Sequence, residues 1–172
     1  MKPFTTLSQE LLADYRIFRL RKDRCRSPRT EGEHDFYVLE ADSWVNVVAI
    51  TPDEKIVLIE QYRFGTGQIT LEMPGGIIDP GETPLQAAAR ELSEETGYQA
   101  DAISVLGYVE PNPAILNNRC YTALALGCRS ISGQSLDEKE DIAVQLFPIA
   151  DVPSLFASGK ITHALVWAAY LH

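Results

Sequence analysis

Short runs of alternating or clustered apolar residues predict that the first half of the chain is built mainly of β-strands. Residues 16–21 and 36–41 flank a polar stretch, which predicts a hairpin with a long loop. The composition of residues 51–54, Thr-Pro-Asp-Glu, predicts a turn between two further strands at 44–50 and 55–60. The same patterns predict later strands at 69–73, 103–110, 120–126 and 142–147.

Helix signals bracket the middle of the chain. Thr83 fits the N-cap position, Pro84 fits the first helical position, and Gln86 completes a capping box with Thr83. Gly97 fits the residue that ends a helix. The sequence therefore predicts one well-defined helix between Thr83 and Gly97.

Apolar residues at helical spacing predict a last helix over residues 161–171. His163 lies near its start, where a capping or packing role is favoured over contact with a phosphate. A mixture of strands with two or three helices indicates an α/β sandwich. The length of 172 residues fits a single domain, 1–172, with an N-terminal strand hairpin over 1–43 and a core over 44–172.

Composition and charge indicate which molecules the protein is expected to bind. The net charge of −9 disfavours nonspecific binding of nucleic acid, which needs a positive surface. Apolar runs are too short to cross a bilayer, and residues 1–4 lack the apolar core of a signal peptide. We therefore expect a cytoplasmic protein that contacts neither membrane nor nucleic acid. An acidic protein can still bind a phosphate substrate through divalent cations.

Three glutamates of the first helix, Glu91, Glu94 and Glu95, have i, i+3, i+4 spacing and share one face. An adjacent face carries the apolar residues that are predicted to pack on the sheet, Leu85, Ala88, Ala89 and Leu92. An acidic cluster alone is typical of a solvated face. However, like charges on one turn destabilise a helix unless something offsets them, and a bound divalent cation would do so.

The residues around the cluster form a specific pattern. From Gly76 the sequence runs through five residues to Glu82, and through seven more to Arg90-Glu91-Leu92. Ser93, Glu94-Glu95, Thr96, Gly97 and Tyr98 follow. This resembles the Nudix box, Gly-x5-Glu-x7-Arg-Glu-U-x-Glu-Glu-x-Gly-U (U, bulky apolar), at every glycine and polar position. The resemblance to Nudix hydrolases implies a Nudix-type α/β/α sandwich with a mixed central sheet.

The resemblance also implies a ligand set for metal. Glu91 and Glu95 would be the main magnesium ligands, and Glu94 would share or bridge them as one of the catalytic residues. Glu82 would act through a water or a second metal, and the carbonyl of Gly75 would be a further ligand. Carboxylate and carbonyl oxygens suit Mg²⁺, with Mn²⁺ as an alternative.

Two other residues of the box receive supporting roles. Arg90 is interpreted as orienting the glutamates, and it can also pair with Glu94 at i, i+4. Gly76 is interpreted as serving the geometry of the loop before the helix.

Residues outside the box resemble the ADP-ribose and nucleoside diphosphate sugar pyrophosphatase branch of the family. In that branch Arg63 would contact a phosphate, and Glu72 would lie near the metal site or the terminal ribose. Pro113, fifteen residues beyond Tyr98, is a mark of ADP-ribose-type members, although an ordinary loop proline explains it equally well. Trp44 is among several aromatic residues that are candidates for stacking on a nucleobase.

Two further segments complete the resemblance. Residues 137–141 resemble the acidic loop that carries the catalytic base, for which Glu138 is the first choice and Glu140 the second. A solvated acidic loop is the alternative. The N-terminal hairpin is the kind of element that this branch uses to build a homodimer, so residues 15–41 are expected to contact a second subunit.

The resulting hypothesis is a Mg²⁺-dependent hydrolase of nucleoside diphosphate sugars, ADP-ribose foremost, that yields a nucleoside monophosphate and a sugar phosphate. The first alternative is a Nudix hydrolase acting on GDP-mannose, dinucleoside polyphosphates or coenzyme A. A second is a Nudix-like module that binds a nucleotide sugar without cleaving it, although such modules usually lose glutamates of the box. An acidic protein-interaction domain ranks last, since it leaves the spacing unexplained.

Overall fold

A computed structural model describes all 172 residues, which form twelve strands and three α-helices. The strands are β1 Thr5–Asp14, β2 Arg19–Arg26, β3 Glu33–Glu40, β4 Trp44–Ile50, β5 Lys55–Arg63, β6 Gln68–Glu72, β7 Gly75–Ile77, β8 Tyr98–Gln99, β9 Ala102–Val109, β10 Cys120–Leu126, β11 Arg129–Ser130 and β12 Ile142–Pro148. The helices are α1 Pro84–Thr96, α2 Val152–Ala157 and α3 Ala164–Leu171. The longest of them has 13 residues, fewer than the roughly 20 that a bilayer crossing requires.

The chain divides into two compact units. Unit 1 comprises Met1–Asp42 and Glu110–Arg119, and unit 2 comprises Ser43–Val109 and Cys120–His172. Whether the two units behave as one domain stays a prediction.

Unit 1 is a three-stranded antiparallel sheet in the order β1-β2-β3. The predicted hairpin corresponds to β2 and β3, but both strands extend into the stretch predicted as a long loop. The hydrophobic pattern did not predict the second half of β2, because charged residues, mainly arginines, dominate this strand. Arg21, for example, donates hydrogen bonds to both Asp23 and Glu40.

Unit 2 is built on a seven-stranded mixed sheet. Its main order is β12-β5-β4-β10-β9, with β6 paired to β5 and β7 paired to β4. The β4–β10 pair is parallel, and the other pairs are antiparallel. The predicted mixed sheet is therefore confirmed.

Helices cover both faces of this sheet. Alternate residues of β5 point to opposite faces, as the period of two requires: Val57 packs with the α1 side, and Ile56 and Leu58 pack with the other. The first core joins β4 and β10 to Ala87, Ala88 and Leu92 of α1. The second joins Leu71 and Met73 to α2 and α3, including Val152, Leu155, Phe156, Val166 and Ala169. The predicted α/β/α sandwich is confirmed.

Several elements were not predicted, among them β1, the two-residue strands β8 and β11, the short strand β7 and the helix α2. Strand β7 contains Gly75 and Gly76, which the sequence pattern marks as a break, yet they pair in register with Asn46 and Val45 of β4. Helix α2 has only six residues, too few to show a helical period. Helix α3 begins at Ala164 rather than residue 161, since the Nδ1 atom of His163 caps it by accepting a hydrogen bond from the Leu165 N–H at 3.2 Å.

Candidate active site

Helix α1 presents two of its glutamates to the protein interior. The predicted capping box of Thr83 and Gln86 is present, and Gly97 ends the helix in the left-handed conformation at φ 73°. The prediction that Leu85 and Ala89 pack on the sheet is wrong, because both are exposed. The buried positions are Ala87, Ala88, Glu91, Leu92, Glu95 and Thr96.

The backbone of β7 lies directly against these two glutamates. Glu91 and Glu95 are only 8% and 4% exposed. The N–H of Gly75 donates a hydrogen bond of 2.7 Å to Oε2 of Glu95. A Cβ atom at Gly76 would lie 2.4 Å from Oε1 of Glu91. A side chain at position 76 would therefore displace the Glu91 carboxylate, so Gly76 has a steric role in addition to the loop geometry expected from the sequence.

Arg90 holds the glutamates of the pattern together. Its Nε and Nη2 atoms donate to the two carboxylate oxygens of Glu82 at 3.0 and 2.9 Å. Its Nη1 donates to Glu91 at 2.9 Å and to Glu94 at 3.1 Å. Nη2 also donates to the Ile77 carbonyl of β7 at 2.9 Å. These contacts agree with the predicted orienting role of Arg90 and with its predicted pairing to Glu94.

Burial makes the charges of the two interior carboxylates unfavourable. The pKa of Glu95 is raised to about 8, mainly by desolvation; the Gly75 N–H bond acts against the rise, and the charges of Glu91 and Glu140 add to it. Desolvation also raises the pKa of Glu91, although Arg90 opposes this. By contrast, the hydrogen bonds from Arg90 lower the pKa of the more exposed Glu82 carboxyl.

The chemistry of this group fits a hard divalent cation. Four carboxylates and the backbone of Gly75 supply the oxygen donors that Mg²⁺ and Mn²⁺ prefer. The positive charge near Glu91 and Glu95 does not fully offset the cost of burying their ionised carboxylates. As the side chains stand, no three acidic, His or Cys groups are arranged to hold an ion, and Glu82, Glu91 and Glu94 point to Arg90 instead. Holding a cation would therefore require some of these side chains to turn away from Arg90.

A second charged group lies on the β5–β6 hairpin. Arg63 binds Glu72 through Nε and Nη2, both at 2.7 Å, and Thr70 Oγ1 donates to Glu72 at 2.5 Å. Glu72 is 3% exposed; its burial alone would raise its pKa, but the bonds from Arg63 and Thr70 outweigh burial and lower it. Arg63 is near enough to Glu95 for each charge to act on the other. The predicted substrate residue Arg63 and the predicted ligand Glu95 are therefore close enough to interact electrostatically, and their shared role stays a prediction.

His163 adjoins the same pair. Its Nε2 atom lies 4.0 Å from Oε2 of Glu72, while its Nδ1 caps α3. Burial lowers the pKa of His163, with the charge of Glu72 acting in the opposite direction. The predicted capping role is therefore present, together with a contact to Glu72 that the sequence did not indicate.

The acidic loop precedes β12 and approaches α1. The charge of Glu140 is among those that raise the pKa values of both Glu91 and Glu95, whereas Glu138 is not among their leading influences. The Asp137 N–H donates to Oε2 of Glu140 at 2.9 Å, so the loop is a compact turn. Of the two base candidates, Glu140 is the one whose charge acts on the pKa values of the helix carboxylates, and the choice between the two stays a prediction.

Two further residues were predicted to bind substrate, Trp44 and Pro113. Trp44 begins β4, is half-buried and pairs in register with Ile77. Pro113 lies on an exposed turn of unit 1. Their roles in substrate binding stay predictions. The sequence also missed Gln134, which bonds to the end of α1 and carries no recognisable pattern.

Comparison with known proteins agrees with this geometry. A profile of the NUDIX domain matches residues 42–166, and the chain belongs to the Nudix hydrolase family. It is 33% identical over 170 residues to an ADP-ribose pyrophosphatase of Mycobacterium tuberculosis (strain ATCC 25618 / H37Rv), covering 98% of this chain and 82% of that protein. It is 33% identical over 121 residues to the ADP compounds hydrolase NudE of Escherichia coli (strain K12), covering 68% and 63% of the two chains. The crystal structure of an ADP compounds hydrolase superposes with a TM-score of 0.86 at 25% identity, over 98% of this chain and 91% of that one.

The raised pKa of Glu95 predicts how stability changes with pH in metal-free protein. The pKa is about 8 in the folded state, against an ordinary value of 4.5 for a glutamate in water. Stability from this group is therefore fully present below pH 4.5 and is lost as the pH rises through 8. Between pH 5 and 9 in EDTA, we expect the melting temperature of the wild type to fall by at least about 5 °C more than that of Glu95→Gln. Parallel curves for the two proteins would contradict the assignment.

Proposed function

We propose that this chain is a divalent-metal-dependent pyrophosphatase of nucleoside diphosphate sugars, with ADP-ribose as its preferred substrate. The observation that carries the proposal is the burial of Glu91 and Glu95 against the glycine backbone of β7, with Arg63 close to Glu95. Relatives at 33% identity that act on ADP-ribose and on ADP compounds support the choice of substrate.

Glu91, Glu95 and the Gly75 carbonyl are the main groups proposed to hold Mg²⁺ or Mn²⁺, with Glu94 and Glu82 beside them. Bound there, such a cation would neutralise the diphosphate and lower the pKa of a water molecule. Glu82, Glu91 and Glu94 would exchange their hydrogen bonds to Arg90 for bonds to the cation. The hydrogen bond from the Gly75 N–H of β7 limits the conformations available to Glu95. The order that this imposes lowers the entropic cost of assembling the site.

Arg63 is proposed to bind a substrate phosphate. Glu72 accepts the Nε hydrogen and one of the two Nη2 hydrogens, so the two hydrogens of Nη1 and the second hydrogen of Nη2 are available to donate to phosphate oxygens. Glu72 thereby orients the guanidinium, and the 42% exposure of the Arg63 side chain leaves it accessible. This assigns Glu72 a positioning role through Arg63.

Glu140 is the residue proposed to accept the proton of the attacking water, in preference to Glu138. The water oxygen bonds to one phosphorus as the bridging P–O bond of the diphosphate breaks. The proton passes to the Glu140 carboxylate and then to solvent. With ADP-ribose the products are AMP and ribose 5-phosphate.

A homodimer formed through unit 1 remains part of the proposal. Its sheet leaves large apolar side chains exposed, among them Phe4, Leu11, Tyr15, Phe36 and Tyr37. A surface of this kind is typical of an interface between subunits. Light scattering of the purified protein should give twice the 19.1 kDa mass of the chain, and a monomer mass would refute the dimer.

The proposed activity is tested with a panel of substrates. ADP-ribose, ADP-glucose, GDP-mannose, a dinucleoside polyphosphate and NAD are incubated with Mg²⁺, and phosphate released through a coupled phosphatase is measured. Coenzyme A, whose 3′-phosphate the phosphatase would release by itself, is followed by chromatography of its products. We expect kcat/KM for ADP-ribose to exceed that for each other compound by at least about tenfold. The Glu95→Gln variant serves as the control for contaminating hydrolases and should lose about 10³-fold or more of the activity. Similar rates on all sugars would indicate a broad hydrolase, and no hydrolysis with either Mg²⁺ or Mn²⁺ would favour the binding module.

The choice of base is tested by two isosteric variants. Glu140→Gln should lower kcat by about 100-fold or more, because the water would lose its proton acceptor. Glu138→Gln removes the same charge from the same loop and should change kcat by less than about threefold. Steady-state kinetics on the best substrate of the panel compares them. The opposite ranking would return the role of base to Glu138.

A further inference from the structure

One glutamine joins the acidic loop to the end of helix α1. Nε2 of Gln134 donates a hydrogen bond of 2.6 Å to the carbonyl of Glu95 and another of 3.0 Å to the carbonyl of Ile142. An amide NH₂ group carries two hydrogens, so both bonds can form together. Gln134 thus contacts the last turn of α1 and the first residue of β12 at once.

The carbonyls at this end of α1 need such partners. No N–H group within a helix donates a hydrogen bond to the last four carbonyls of that helix. The Gly97 N–H donates a hydrogen bond to the Ser93 carbonyl, and the Ser135 N–H donates one of 2.8 Å to the Glu94 carbonyl. Gln134 supplies the bond to Glu95. The chain that leads into the acidic loop is therefore fixed to the same helical turn that carries Glu94 and Glu95.

The loop itself lies between the two residues that this amide connects. Residues 135–141 start beside Gln134 and end at Ile142, so the Gln134–Ile142 bond closes the base of the loop. Inside it, Asp137 and Glu140 bond to each other, which shapes the turn but does not attach it to α1. The contacts of Gln134 and Ser135 provide that attachment.

We propose that Gln134 is a positioning residue that sets the distance between the acidic loop and the carboxylates of α1. Gln134 touches no reacting group; it acts through Glu140, and this inference rests on the proposed function for the role of Glu140. Without the hydrogen bonds of Gln134, the Glu140 carboxylate would no longer be held at one position. Small misplacements of a catalytic group reduce turnover strongly.

The test uses the full chain with Gln134→Leu, which has a similar size and no donor. We expect kcat to fall by about 10- to 100-fold, with KM and the half-saturating Mg²⁺ concentration changed by less than about twofold. In the Glu140→Gln background, Gln134→Leu should cause no further loss of kcat, since the group it positions is already gone. Gln145→Leu is the matched control: this glutamine lies on β12 and bonds to Glu60, so its loss should leave kcat unchanged.

A second readout does not depend on activity. Lys139 lies exposed in the loop. Trypsin cleaves after this lysine when the loop opens far enough to fit into the active site of the protease. Gln134→Leu should raise the rate of cleavage after Lys139 by about tenfold, and Gln145→Leu should not. Gln134→Glu, which replaces the donor with an acceptor facing two carbonyls, should behave like Gln134→Leu and provides a second variant if the first is unstable.

Failure of this inference is separable from failure of the proposed function. If the wild type hydrolyses none of the substrates, the proposed function fails while the cleavage rate after Lys139 still tests the bridge. If the wild type is active but Gln134→Leu changes neither kcat nor the cleavage rate, the positioning role is refuted. A kcat loss that adds fully to that of Glu140→Gln would also refute it.

Discussion

The burial of two carboxylates against a glycine backbone is the constraint on which the rest of unit 2 depends. Glu91 and Glu95 occupy positions of α1 that an amphipathic helix would normally give to apolar residues, beside Ala88 and Leu92. Charged groups are stable in such places only when hydrogen bonds and opposite charges surround them. The Gly75 N–H and the guanidinium of Arg90 supply part of this compensation, and a divalent cation is the natural source of the remainder.

Three other elements of unit 2 lie near these two carboxylates. Pairing of β7 with β4 places the glycines against the helix, and the β5–β6 hairpin places Arg63 and Glu72 near Glu95. The chain then returns past the end of α1 into the acidic loop before it enters β12. The proposed acidic ligands, phosphate-binding arginine and general base are separate in sequence, yet each is attached to a strand or a helix end of unit 2. This arrangement is what diphosphate hydrolysis requires of a protein.

Much of this could be predicted from the sequence, for identifiable reasons. Strands β4 and β10 were predicted to the residue because their apolar runs end at clear turn signals, and α1 because both of its caps are specific. Strand β1 was missed because nearly all of its residues are exposed, which leaves no buried face to read. The buried side of α1 was assigned wrongly at Leu85 and Ala89, since hydrophobicity cannot indicate that glutamates are interior. Gln134 was invisible for a related reason: its contacts join residues distant in sequence, and a lone glutamine forms no pattern.

Direct binding of a divalent cation tests the central claim, that the buried carboxylates of α1 form a metal site. Mn²⁺ is titrated into metal-free wild type and into the Glu91→Gln/Glu95→Gln double variant, and free ion is measured by electron paramagnetic resonance. We expect saturable binding by the wild type and a loss of at least about tenfold in affinity in the double variant, because its neutral amides are poorer ligands for a hard cation. Equal affinity in the two proteins would contradict it, since the cation would then be held elsewhere.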